Sequence, residues 1–184
     1  MEKSLFFARH SKRAFVDREV PRDTLERLFE RIRWSPSCSN NQPWRFIFVC
    51  DPPQRAALMT ALADGNQWAA KAPVLVVLCA RRRDDLVRND DPVEYYSFDC
   101  GLAAMSLLLG AVEEGLMGHP MAGYSCPGVK AALGIPEEYH VVCVIALGYE
   151  GSPESLDETT RRKDEATRTR KPLNEVICID RFGF

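Results

Sequence analysis

Apolar and polar positions along the chain follow patterns that predict both helices and short buried strands. Pro21 opens a segment whose apolar residues recur at the i, i+3, i+4 and i+7 spacing of an amphipathic helix, up to Ile32. Residues 45–50, 74–80 and 140–148 are apolar runs rich in aromatic or β-branched residues. Such runs are typical of buried strands, and the most apolar of them must be covered on both faces.

The longest helical pattern extends over residues 93–116. Its apolar stripe is unusually broad, which favours a central core helix that is also suited to burial against a partner subunit. Shorter helices are expected from Pro52 to near Gly65 and over residues 127–133, and residues 121–124 are expected to form a tight turn.

No segment predicts membrane insertion or export. The longest nearly apolar stretch, residues 101–112, is shorter than the roughly 18 residues that a spanning helix needs. The residues after Met1 do not lead into a signal-peptide pattern. We therefore expect a soluble, cytoplasmic protein.

Two polar regions interrupt the apolar pattern. Residues 81–92 are strongly charged and have no apolar period, which predicts a solvent-exposed excursion. Residues 152–184 form a polar C-terminal extension that ends in the apolar, β-prone segment 176–179. We expect residues 1–184 to form one domain and this end to dock as a strand, with the partner subunit as the expected docking surface.

Composition excludes several classes of function. The net charge is -2, from 24 Lys+Arg and 26 Asp+Glu, so no global field attracts nucleic acid or an acidic membrane. The 7 cysteines are scattered without a C-x-x-C pair, and the 3 histidines are far apart in the sequence. We therefore expect neither a disulfide framework nor a metal site.

Alternate positions near the N-terminus carry side chains that could bind an anion. Arg9, Ser11 and Arg13 point the same way if the segment is extended. Guanidinium groups form charge-assisted hydrogen bonds with phosphate, although a solvated basic edge would have the same sequence. Arg168 and Arg170 repeat the spacing near the other end of the chain.

Residues 36–44 form a polar loop that contains two prolines and directly precedes an apolar run. Each proline fixes its own φ and restricts the residue before it, so that backbone groups are presented in set directions. The loop suits recognition of a planar, heteroatom-rich ligand. An ordinary turn after a helix is the alternative.

Together these motifs resemble the FMN-dependent nitroreductase family. The resemblance rests on R-x-S-x-R at residues 9–13, P-S-x-x-N-x-Q-P-W at 36–44, the long helix starting near Tyr95, the strand end at 146–149 and the basic segment 168–173. It implies an α+β fold, in which a mostly antiparallel central sheet is flanked by helices. It also implies a homodimer with FMN bound tightly at the subunit interface.

The resemblance assigns cofactor-binding roles residue by residue. The N-terminal flavin-binding residues would be Arg9, His10, Ser11 and Arg13, and the second phosphate clamp would be Arg168 and Arg170. The loop laid against the isoalloxazine ring of the other subunit would contain Pro36, Ser37, Cys38 and Asn40. The segment whose backbone approaches flavin N5 and O4 would be Pro120, Met121, Ala122 and Gly123, with Asn66 near the pyrimidine edge.

Two of these positions carry further expectations. Some family members have a glutamate where this chain has Ala122, so the backbone is the expected partner of N5 here. For Cys38 we expect a small packing residue that lends its backbone amide to the flavin, and a redox-active thiol is the alternative.

The implied activity is flavin chemistry. NADH or NADPH would pass hydride to flavin N5 and leave, and a nitroaromatic, quinone or related acceptor would then use the same site. The catalytic work is thus flavin-centred, with no protein nucleophile, and the chain lacks a Rossmann glycine fingerprint. The alternatives are a flavin carrier or sensor with little turnover, and a specialised relative such as a dehalogenase or a flavin-fragmenting enzyme.

Overall fold

The computed structural model describes residues 4–90 and 92–183. Its helices are α1 (Leu5–Ala8), α2 (Arg22–Arg33), α3 (Pro52–Met59), α4 (Tyr95–Glu113), α5 (Cys126–Leu133) and α6 (Glu158–Glu165). Its strands are β1 (Arg45–Val49), β2 (Val74–Ala80), β3 (Met117–Met121) and β4 (His140–Gly148). Short 3₁₀ turns cover Cys38–Asn40, Asp64–Lys71, Arg82–Asp84, Pro153–Ser155 and Leu173–Glu175.

The strands form a four-stranded sheet in the order β1-β2-β4-β3, and every neighbouring pair is antiparallel. The all-apolar strand β2 is buried along its whole length at the centre, where Val76 lies opposite Phe48 on one side and Ile145 on the other. Strands β1 and β3 form the two edges. The expected α+β fold with an antiparallel sheet is confirmed.

Helices cover both faces of the sheet because successive side chains of a strand point to opposite faces. Val76 and Ile145 pack with residues of α2 and α4 in one core cluster. Leu75 and Ala146 pack in a second cluster with residues of α3, α5 and the turns at Asp64–Lys71. The predicted helix after Pro21 and the predicted central helix are therefore both confirmed, and α4 is the core helix of the first layer.

Among the described residues, α4 is the one helix long and apolar enough, by length and composition, to cross a membrane. Core helices pass the same test, and Ala103, Leu107 and Ala111 of α4 are buried within the first core cluster.

Strand β3 was not predicted. The sequence from Gly115 to Pro120 contains two glycines and a proline, a composition typical of a break after a helix rather than of a strand. Proline lacks an N–H donor, but it is tolerated on an edge strand, and Pro120 lies opposite Ile145 on the outer strand of the sheet. The predicted tight turn therefore begins one residue later, at Ala122, after β3 ends at Met121.

The predicted strand at residues 176–179 is wrong for the single chain. After the short turn at Leu173–Glu175 the described backbone is irregular, and Ile179 is 83% exposed. No strand of the described chain pairs with this segment, so its apolar side chains remain in solvent. Docking on a partner subunit remains a prediction.

Candidate functional site

The N-terminal segment is extended, as its alternating pattern predicted. Helix α1 ends before Arg9, and the chain then runs without helical structure to Phe15, which forms a β-bridge with Glu150 just after β4. The Arg9 guanidinium donates to Ser11 Oγ at 3.3 Å, so these two side chains share one side of the segment. The backbone that carries the proposed anion-binding side chains therefore has a defined conformation.

Lys12 points to the other side and fixes the segment to the protein. Its Nζ lies 3.6 Å from Asp164 Oδ2 and 3.4 Å from Glu150 Oε1, and its carbonyl accepts from His119 Nδ1 at 3.0 Å. The backbone N–H of Arg13 donates to Asp164 Oδ1. Asp164 comes from α6, so the C-terminal extension positions the N-terminal segment.

Arg168 joins the two basic segments. Its guanidinium donates to the carbonyls of Arg9 and, at 3.2 Å, of Phe7. Burial lowers the pKa of Arg9, and the positive charges of Arg168 and Arg170 lower it further. The structure thus brings the two alternate-arginine motifs together.

This arginine cluster, formed by Arg9, Arg13, Arg168 and Arg170, is not neutralised by the chain. Within residues 4–90 and 92–183 none of the four forms an ion pair with a carboxylate. Like charges held together without counter-charge favour binding of an anion. A phosphate monoester, with about -1.5 to -2 charges at neutral pH, fits this donor set.

Aromatic residues lie beside the cluster. The guanidinium of Arg13 lies 5.9 Å from the centre of the Trp68 ring, and the Trp68 ring lies 4.6 Å from that of His119. Burial lowers the pKa of His119, and the charges of Arg13 and Arg9 lower it further. A neutral His119 that donates through Nδ1 to the Lys12 carbonyl therefore supports the segment without adding charge.

Sequence reasoning did not select Trp68, His119 or Asp164. Asp164 lies in a polar segment, and Trp68 and His119 lie between the elements that the sequence predicts, so no local pattern distinguishes them. Their relation to the arginines appears only when distant parts of the chain meet.

Asn66 and the 120–123 segment are in contact, as the predicted roles require. Asn66 Nδ2 donates to the Gly123 carbonyl at 2.9 Å. A Cβ atom at Gly123 would lie 2.8 Å from Asn66 Nδ2, so a larger residue at this position would displace the Asn66 side chain. Met121 is buried, whereas Ala122 is exposed and presents only a methyl group and its backbone.

The polar loop at residues 36–42 is tightly constrained. Ser39, Asn40 and Gln42 have φ values of 48°, 58° and 50°, in the left-handed region that non-glycine residues rarely adopt. The Gln42 N–H donates to Ser37 Oγ at 3.0 Å, which closes the loop on itself. Backbone strain of this kind persists only where the surroundings hold it, and it is frequent at functional sites.

The Cys38 amide has a protein partner in the single chain, where its N–H donates to Asp99 Oδ2 at 2.7 Å. The thiol is half-buried and lies 4.0 Å from Ser39 Oγ. The role of Cys38 beside the flavin stays a prediction.

The loop is fixed along α4 rather than to the arginine cluster. The Cys38 N–H of the loop donates to Asp99 in the N-terminal half of α4, and Ser35, directly before the loop, is hydrogen-bonded to Ser106 of the same helix at 2.8 Å. No hydrogen bond of the described residues joins the loop to the arginine cluster.

Comparison with known proteins agrees with this fold. The model of the nitroreductase family matches residues 7–67 and 54–149. An NADH dehydrogenase of Thermus thermophilus is 30% identical, with coverage of 82% of this chain and 89% of that protein. The chain therefore belongs to the nitroreductase family, as its motifs indicated.

Solved structures show the same fold. An oxidoreductase containing FMN superposes with a TM-score of 0.87 at 30% identity, covering 100% of this chain and 93% of its own. A nitroreductase family protein from Clostridium difficile superposes with a TM-score of 0.80 at 23% identity, covering 97% of each chain.

Proposed function

We propose that the protein is an FMN-dependent NAD(P)H oxidoreductase that reduces nitroaromatic, quinone or related conjugated acceptors by a ping-pong reaction. The observation that carries the proposal is the unneutralised arginine cluster next to the glycine-containing turn after β3. Family membership and the FMN-containing neighbour support the same conclusion. The free state of all seven cysteines suits the reducing cytoplasm, where we place the enzyme.

The arginine cluster would hold the FMN phosphate. Arg9 and Arg13 come from the segment fixed by Asp164, and Arg170 approaches from the C-terminal extension. Arg168 is committed to backbone carbonyls of Arg9 and Phe7, so its main contribution is to hold the clamp together while adding positive charge. His10 and Ser11 complete the N-terminal part of the site.

The turn after β3 would orient the isoalloxazine ring of FMN. Pro120 and Met121 end an edge strand that is fixed to β4, and the Asn66 bond to Gly123 fixes the turn that follows. The exposed Ala122 has no acidic side chain, so backbone groups of residues 121–123 would hydrogen-bond the ring near N5 and O4.

Bound FMN would supply a ring that accepts hydride from NADH or NADPH and delivers the electrons to a second substrate. The chain's own residues bind the phosphate, orient the ring and limit what can stack on it. No step requires a protein nucleophile.

A homodimer would complete the site. Because no hydrogen bond of the described residues joins the loop containing Pro36, Ser37, Cys38 and Asn40 to the arginine cluster of its own chain, we propose that this loop contacts the flavin held by the partner. The exposed apolar residues Phe98 and Met105 of α4 offer a surface for the second copy.

We also propose that the C-terminal extension docks on the partner's β1. Strand β1 is an open edge, and beside it a groove of about 460 Å³ is lined by aromatic residues, including Phe29, Phe46 and Phe48. An apolar β-prone segment such as 176–179 can add to such an edge. The exposed side chains of this segment would thereby be covered.

The dimer is tested with the double variant Ile177→Asp/Ile179→Asp and the matched exposed control Glu175→Gln, by light scattering coupled to size exclusion. The double variant should shift the protein toward monomer, because charges cannot enter an apolar groove without cost. If the double variant is as dimeric as the control, the docking proposal fails.

The activity is tested with purified protein under anaerobic conditions. We expect about one FMN per chain and bleaching of the flavin absorption on addition of NADH or NADPH, followed by reoxidation with a quinone or nitroaromatic compound. A protein that neither contains nor takes up FMN would overturn the proposal. Bound FMN that neither cofactor reduces would instead establish the carrier or sensor alternative.

A further inference from the structure

Two carboxyl groups are buried beneath the polar loop at residues 36–42. Asp99 lies in the second turn of α4 and is 1% exposed, and Asp85 follows the turn at Arg82–Asp84 and is 8% exposed. Neither belongs to the arginine cluster. Buried aspartates are rare unless a partner offsets the loss of hydration. Each of these two carboxyl groups is therefore expected to have such a partner.

Both carboxyl groups hold the loop. Asp99 Oδ2 accepts from the Cys38 N–H at 2.7 Å, and Asp85 Oδ1 accepts from Asn41 Nδ2 at 3.1 Å. Asp85 Oδ1 also accepts from the Leu86 N–H at 2.8 Å, which ties it to its own segment. The pair therefore joins three parts of the chain: the loop, the charged excursion and the core helix α4.

The two carboxyl groups converge on one turn of the loop, because their donors Cys38 and Asn41 are joined by a hydrogen bond from the Asn41 N–H to the Cys38 carbonyl at 3.0 Å. The carboxyl groups of Asp85 and Asp99 interact with each other there. Asp85 Oδ2 is buried and finds no donor among the described residues. Two ionised carboxylates offer only acceptors and repel each other, whereas one protonated carboxyl group supplies the missing donor.

No surrounding positive charge compensates the two carboxyl groups, so a proton on one of them is still needed. Cys100 is near both carboxyl groups, Cys79 and Arg45 are near Cys100, and Asp84 directly precedes Asp85. Arg45 lies 3.8 Å from Asp84, and in the described chain neither Asp85 nor Asp99 forms an ion pair. Burial raises the pKa of Cys100 to about 12, so its thiol stays neutral and adds no charge.

We propose that Asp85 and Asp99 share one proton, with the Asp99 carboxyl group donating to Asp85 Oδ2, and that this pair positions the loop at residues 36–42. The positioning of a flavin-facing loop rests on the proposed function, whereas the shared proton does not. Burial, followed by the neighbouring Asp85, raises the pKa of Asp99, which agrees with a proton retained there. The titration belongs to the pair rather than to one residue.

Infrared difference spectroscopy of the purified full chain tests the proton directly. The wild type should show the carbonyl stretch of a protonated carboxylic acid at neutral pH, shifted in D₂O. The band should be absent in Asp99→Asn and in Asp85→Asn and retained in Asp90→Asn, an exposed aspartate of the same segment. A wild type without this band, or with a band that survives in both buried variants, overturns the shared proton.

The pH dependence of unfolding provides a second readout. Because the folded-state pKa of Asp99 is raised, the stabilisation from its proton is complete below the unfolded pKa of about 4 and is lost as pH rises through the folded pKa. The unfolding equilibrium constant of the wild type should therefore increase relative to that of Asp99→Asn by up to about tenfold per pH unit in this window. A constant ratio across the window contradicts the proposal.

Flavin retention tests the positioning role. Asp99→Leu removes the acceptor of the Cys38 N–H and should weaken FMN binding roughly tenfold, whereas Asp99→Asn keeps an acceptor and should restore it. Equal affinity of the wild type and Asp99→Leu overturns the positioning role. If no variant and no wild-type sample binds FMN, the proposed function fails, while the infrared band and the pH dependence still decide the shared proton.

Discussion

Removal of the Asp164 carboxylate should loosen the N-terminal clamp. The Asp164 side chain is only 1% exposed, accepts from the Arg13 N–H and lies 3.6 Å from Lys12 Nζ. That last distance allows an ion pair but exceeds a normal hydrogen bond, and Asp164 Oδ2 has no hydrogen-bond partner in the described chain. The contact with Arg13 is therefore the main contribution to be lost.

The expected loss in the free energy of unfolding follows from these contacts. A hydrogen bond to a charged acceptor contributes about 1.5–3 kcal/mol. Lys12 is 21% exposed and keeps Glu150 at 3.4 Å, so its part of the loss is small. Asp164→Ala should therefore lower the free energy of unfolding by about 2–3 kcal/mol, or roughly 4–12 °C in Tm for a domain of this size.

Thermal and denaturant unfolding measure this effect, and two variants serve as comparisons. Asp164→Asn keeps an acceptor for the Arg13 N–H and should lose only about half as much. Glu165→Gln changes an exposed residue of the same helix and should alter stability by less than about 0.5 kcal/mol. An Asp164→Ala protein as stable as Glu165→Gln would refute the anchoring role of Asp164.

Four further substitutions test the cofactor site. Arg13→Ala or Arg170→Ala should weaken FMN binding by roughly 1.5–3 kcal/mol in fluorescence titrations, the scale of one charge-assisted hydrogen bond; unchanged affinity in both would remove the phosphate assignment. Gly123→Ala places a Cβ atom 2.8 Å from Asn66 Nδ2, so it should cost about 1–3 kcal/mol of stability and lower FMN affinity; a crystal structure with the Asn66 bond intact would contradict this. Cys38→Ser should retain both FMN and turnover in steady-state assays; lost turnover with FMN still bound would establish a reactive thiol.

The elements with strong apolar patterns could be predicted from the sequence. Strand β2 is one uninterrupted apolar run, and α2 carries its apolar residues on one face, so local pattern and tertiary packing agree. Strand β3 could not be predicted, since Pro120 is acceptable only because the strand lies at a sheet edge. That position is a property of the whole sheet and not of the segment.

Helix α6 is a second element that could not be predicted from the sequence. Its sequence is polar on all sides, and its start depends on Asp157, which accepts from the Thr160 N–H at 3.0 Å. Its buried contact, Asp164 with Arg13, joins residues far apart in the sequence. For the same reason the arginines of the candidate site could be selected by motif, whereas the residues that hold them could not.

The dependence of the Arg13 segment on Asp164 also sets the order of events during synthesis. The two residues are 151 positions apart, and a ribosome adds about 5–20 residues per second, so roughly 8–30 s separate the first arginines from their anchor. A nascent chain thus exposes basic residues before it can hold them in place. If the arginine cluster holds the FMN phosphate as proposed, cofactor loading is a late event, and loss of the C-terminal extension by proteolysis would release FMN while the core sheet stays folded.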